Sequence, residues 1–180
     1  MYVKILTLLA ALLLVACTQS DEKFKSYSIG FTTQGQEVSV DAAYIDNHWS
    51  VPGGVSITGI WGEASGGASV FDKAIPHEIY VKWGEVASKL HYDATVKLVD
   101  DLAQRARKLP KVTYIPTKDK DVGTIDLIIG LAPNGKVTVW LTNYPYSKYI
   151  SGRILEVIGE AQGKLTENIP PITHPAKTDH

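Results

Sequence analysis

Hydrophobic and polar positions along this chain fall mostly into short β-rich runs, broken by glycine, proline and asparagine. That pattern predicts strands joined by turns rather than a helical protein. Ser26 to Thr32 and Glu37 to Ile45 are alternating or β-branched runs on either side of Gln34-Gly35, and they predict a first hairpin. Ser56 to Trp61 and Glu78 to Trp83 form two further candidate strands, joined by the glycine-rich segment "GEASGGASVFDKAIP". "TVKL" at 95–98 is another. In the next segment, Val99 to Lys108, the residues Val99, Leu102, Ala103 and Ala106 recur at helical spacing and Pro110 ends the pattern, so one short helix is expected there.

The clearest local signal is "TIDLIIGLAPNGKVTVWLTN". Two strands, Thr124 to Leu131 and Lys136 to Leu141, flank Pro133-Asn134-Gly135, where proline fixes the first turn φ and glycine accepts the left-handed conformation. The nearly unbroken apolar run "LIIGLA" predicts a central strand covered on both faces. "ISGRILEVIGEAQGKLT" is ambiguous: Ile150, Ile154, Val157 and Ile158 fit a helical face, but Gly152, Gly159, Gly163 and the β-branched content favour a strand. Together these elements predict an α+β fold, a mainly antiparallel sheet with one short helix, in a single domain over residues 26–169.

Upstream of that domain the pattern changes. Lys4 precedes an apolar run, Ile5 to Ala16, which is shorter than the roughly 20 residues that span a bilayer and has the layout of an export signal. Leu14-Val15-Ala16-Cys17 ends it and resembles the lipobox of bacterial lipoproteins. The resemblance implies cleavage after residue 16, acylation of the Cys17 thiol, and attachment to a membrane through several acyl chains. Residues 17–25 then form an acylated cysteine and polar tether, and residues 170–180, with three prolines, an irregular tail. Thr18 stands where inner-membrane lipoproteins often carry Asp, so the resemblance implies the outer membrane, facing the periplasm.

Cys17 is the chain's one cysteine, so the domain is held without disulfides. Without Lys4 the 18 Lys and Arg become 17 against 19 Asp and Glu, a formal charge of −2, which is no footprint for nucleic acid.

The motifs of catalysis are sparse. None of His48, His77, His91, His174 and His180 lies in H-E-x-x-H or another dense ligand spacing, so neither a metal nor a cofactor is expected. No G-x-S-x-G is present, and Gly66-Gly67 lacks the residues of a phosphate loop. Asp100 and Asp101 are adjacent on the predicted helix and do not face each other. A dispersed acid/base set of His91, Asp93 and Glu78 is the one enzymatic option that the residues offer, and no catalytic residue is assigned.

Aromatic residues say more. Trp61, Trp83 and Trp140 sit in strands and are expected to fill the core. Tyr144, Tyr146 and Tyr149 cluster around Pro145 in "NYPYSKYI", a segment after a strand whose rings cannot all be buried. With Gly66 and Gly67 of the glycine-rich segment they make the candidate binding surface.

"GLAPNGKVTVWL", with "WGEASGG…IPHEIYVKW" and "IGEAQGK", resembles a family of bacterial lipoproteins described as domain of unknown function 2931, over roughly Tyr27 to Leu165. The family brings no catalytic residues to carry over. Some small lipoproteins of this general kind neutralise secreted antibacterial effectors encoded beside them. The expected function is therefore that of a non-catalytic, membrane-anchored module that binds a periplasmic protein partner, with effector immunity as one form of it. An envelope hydrolase and a structural envelope lipoprotein are the alternatives.

Overall fold

A computed structural model of the chain describes residues 23–166. Cys17, the expected export signal and the expected tail at 170–180 lie outside the described residues. The strands are β1 (Phe24–Thr33), β2 (Val38–Ile45), β3 (Trp49–Val51), β4 (Val55–Ile57), β5 (Gly67–Lys73), β6 (Glu78–Glu85) and β7 (His91–Lys97). A six-residue helix α1 (Leu102–Arg107) is followed by β8 (Val112–Tyr114), β9 (Asp119–Val122), β10 (Asp126–Leu131), β11 (Lys136–Thr142), β12 (Ile150–Ser151), β13 (Leu155–Gln162) and β14 (Lys164–Thr166).

Two sheets face each other across one core. The first has the order β13-β11-β10-β1-β5, and the second β14-β7-β6-β2-β3 with β4 added beside β2. Alternate residues of each sheet point inward: Ile29, Phe31, Leu127, Ile129, Val137 and Val139 from the first meet Val38, Val40, Ile79, Val81, Trp83 and Val96 from the second. A small third sheet, β12-β8-β9, stands at one end. Leu102 and Ala106 bury the inner side of α1, which reaches from Glu156 on β13 to Phe24 on β1 through Arg105 and Arg107.

The expected central hairpin is present, with β10 buried along its whole length and antiparallel to β11. Gly135 turns it at φ 79°. The ambiguous segment at 150–166 is strand throughout its regular parts, and β13 passes to β14 across Gly163, so one stretch of chain edges both sheets. The protein is mostly β with one short helix, and a six-residue helix makes the α+β label marginal.

Several details depart from the sequence pattern. The first hairpin does not form. β1 pairs with β5 and β10, while β2 joins the opposite sheet, because the inward faces of both strands gain a second layer only by separating. The β1–β10 pairing is parallel, so the first sheet is mixed rather than antiparallel. The glycine-rich segment also contains a strand, β5, and His91 and Asp93 stand on β7 rather than in a loop. β1 begins at Phe24, two residues inside the stretch expected as tether.

Candidate functional site

The outer face of the first sheet is partly roofed by residues 58–66. This segment lies flat because two strand positions beneath it are glycines. A Cβ on Gly30 would meet the Ala64 Cβ at 2.8 Å, and one on Gly130 would meet Trp140 at 2.5 Å and Trp61 at 2.8 Å. Trp61 and Trp140 pack edge to face, with centroids 4.9 Å apart, above Gly130. Buried Thr32 and Thr33 of β1 fasten the segment: the Thr32 hydroxyl donates to the Ile60 carbonyl at 2.6 Å, and the Thr33 hydroxyl accepts from the Gly59 amide at 3.1 Å.

Residues 143–153 are tied to this roof. The Ala64 amide donates to the Pro145 carbonyl at 3.0 Å. Glu63 accepts from both the amide and the hydroxyl of Ser147. Arg153 spans the junction, donating from Nε to the Tyr144 carbonyl at 2.8 Å and from Nη2 to the Gly62 carbonyl. Asn143, buried at the base, donates to the carbonyls of Pro110 and Gly152 and accepts from the Ile154 amide, so the returning chain is held at both ends. The two segments are thus one hydrogen-bonded platform.

The charges beneath the platform are strained by burial. Asp126, 5% exposed, has its carboxyl pushed above the usual carboxylate range by burial; hydrogen bonds from Thr124 and Ser28 and the nearby Arg153 charge oppose that shift. Arg153 is shifted the other way, below the usual guanidinium range, also by burial, against the pull of Glu63 and Asp126. The guanidinium of Arg153 thus lies in the field of both carboxylates while its hydrogen bonds go to carbonyls of the two segments.

Apolar groups surround that junction. Tyr144 is half-buried and packs edge-on against Tyr146 at 6.4 Å, while Tyr146 and Tyr149 are 49% and 51% exposed. Lys148 lies over the Tyr149 ring at 4.9 Å. Ile60, Leu155 and Val157 extend the exposed apolar area along the roof and β13. Gly66 is exposed at φ 123° and gives its carbonyl to the Phe31 amide. Gly67 is the first residue of β5 opposite Gly30, where a Cβ would lie 2.1 Å from the Ile29 carbonyl; it serves the strand pairing.

The model of the family described as Protein of unknown function (DUF2931) matches residues 16–169. The chain belongs to that family. No curated protein and no solved structure matches it.

In this DUF2931 protein strand register separates Glu78 from His91 and Asp93, which share one face of β7. Gly84 is opposite His91 and Glu78 is opposite Lys97, so Glu78 stands six residues along the ladder from His91, about 20 Å away at strand rise. His91 instead pairs with Asp41, Nδ1 to Oδ2 at 3.2 Å, and covers Gly84. Glu78 faces Asn47, and Asp93 lies between Lys82 and Lys164 in the ladder. Among the described residues no three or more His, Cys, Asp or Glu side chains are gathered as a metal site.

Arg153, Glu63 and Asn143, which build the platform, were not distinguished by the sequence. The one signal for Arg153 was a single arginine inside the apolar "ISGRILEVI", where a cation needs partners once the segment folds.

Proposed function

We propose that this DUF2931 protein is a bacterial lipoprotein, held by acylated Cys17 in the outer membrane and facing the periplasm, that binds a protein partner through the platform without catalysing a reaction. The observation that carries this reading is the fastening of residues 58–66 to 143–153 by Arg153 and Glu63, with Tyr146 and Tyr149 left exposed on one segment and Ile60 on the other. A pre-ordered loop pair loses little entropy on binding, and exposed tyrosines supply contact area at low rotamer cost. Exposed aromatic rings are enriched at the contact surfaces of proteins. Neutralising a secreted antibacterial effector is the form of binding to which the resemblance among small lipoproteins points.

The test is a photo-activatable residue at position 146 or 149 in cells, with position 89 as reference. The reading expects a discrete protein adduct at 146 and 149 and none at 89. Adducts of equal yield at all three positions, or none at the tyrosines, contradict it.

A further inference from the structure

Beside the start of β1 runs a groove of about 640 Å³, between β5, the end of α1 and residues 109–111 and 123–125. Among the described residues its lining carries Lys23, Lys25, Arg107 and Lys111 and no carboxylate. In a chain whose acidic residues outnumber its basic ones, four cations on one groove without an acid among them are a local reversal of sign. Among the described residues neither Lys25 nor Lys111 forms an ion pair. Arg107 packs over the Phe24 ring at 4.8 Å, which holds its guanidinium along one side. Phe71, on β5 at the rim, is 64% exposed, and Asp72, next to it in the chain, is outside the lining. Basic side chains around an exposed phenylalanine match the boundary between phospholipid headgroups and acyl chains.

The position of the groove identifies its occupant. Lys23 is six residues from Cys17, a distance that full extension limits to about 20 Å. The groove cannot move far from the surface to which Cys17 is fixed, and the potential of an anionic leaflet acts within about a Debye length, roughly 10 Å. We propose that this groove docks on anionic phospholipid headgroups, with Lys25 and Lys111 against phosphates and Phe71 entering the interface. The anchor thereby becomes a two-signal attachment that fixes the orientation of the domain. The inference rests on the acylation of Cys17.

The test uses the full acylated chain, purified in detergent and reconstituted into vesicles of phosphatidylcholine alone or with phosphatidylglycerol at about one part in four. Vesicle flotation reads the anchor. Lysine reactivity toward an amine-acylating reagent reads the groove, with Lys89 as internal reference; that residue follows Val86, whose amide bonds the Glu37 carbonyl at the far end of β1.

The proposal expects flotation with both vesicle types. Reactivity of Lys25 and Lys111, relative to Lys89, should fall roughly fivefold on anionic vesicles only, the factor for one lysine near an anionic leaflet, and return at high salt. Flotation with both and unchanged reactivity overturns the groove and leaves the anchor standing. Flotation with anionic vesicles only, lost in Lys25→Glu/Lys111→Glu, supports the groove and overturns the anchor. Flotation with neither overturns both. Equal protection by inorganic phosphate without vesicles assigns the groove to a free anion and overturns the lipid.

Discussion

Arg153 and Asp126 show how single residues set the character of the site. Burial raises the Asp126 pKa above its ordinary 3.8, so the folded protein holds this proton more tightly than the unfolded chain does. The sign follows from proton linkage: the contribution is fully present below the unfolded pKa and is lost as pH rises through the folded one. The stability of wild type relative to Asp126→Asn should therefore decline as pH rises above the ordinary carboxyl value of 3.8, where the native carboxyl must ionise while buried. Urea titrations of both proteins across that window check this. A difference that stays flat or rises with pH contradicts it.

At the scale of elements, the platform is a pair of loops joined by a planar cation. Arg153 uses two nitrogens of one rigid fork to reach two carbonyls, on Tyr144 and Gly62, and an ammonium cannot reproduce that geometry. Arg153→Ala should cost about 1 to 3 kcal/mol, the penalty of hydrogen bonds lost at half-buried groups, and Arg153→Lys should recover little of it. Amide exchange at Ala64, which is bonded to Pro145 across the junction, reads the coupling directly. Full protection at Ala64 in Arg153→Lys contradicts the account.

The elements also show what a sequence reveals. β10 and β11 were legible because an apolar run and a Pro-Asn-Gly turn are local signals. β5 was not, because it begins on glycine and exposes most of its residues, so it has neither alternation nor an apolar run. The parallel pairing of β1 with β10 joins residues about a hundred positions apart, and no local pattern encodes it. The tyrosines and the glycine-rich segment were visible as unusual compositions. The hydrogen bonds that join them were not, since Arg153 reaches Gly62 and Ser147 reaches Glu63 only after the sheets have assembled.

For the whole molecule, the strand directions put the tyrosine segment and the basic groove toward the same end. β11 finishes at Thr142 opposite Asp126, which is itself opposite Ser28 near the start of β1. If the proposed anchor at Cys17 holds the chain to a membrane, a partner docked on Tyr146 and Tyr149 would thus be held close to that membrane. If Cys17 is the lipid acceptor, Cys17→Ser should leave an unprocessed precursor without acyl label. Normal maturation and detergent-phase partitioning of that variant contradict the anchor.

The central claim is binding by the platform rather than catalysis near His91. Its most direct test is the affinity of the purified chain for the protein captured at position 146, measured by calorimetry for wild type, Tyr146→Ala, Tyr149→Ala, His91→Ala and Asp93→Ala. The account predicts that at least one tyrosine truncation weakens binding by roughly 1 to 4 kcal/mol while its folding stability stays within about 1 kcal/mol of wild type. His91→Ala and Asp93→Ala should bind as wild type does. Wild-type affinity in both tyrosine variants, with activity lost from folded His91→Ala or Asp93→Ala, would contradict the claim and move the functional site to β7.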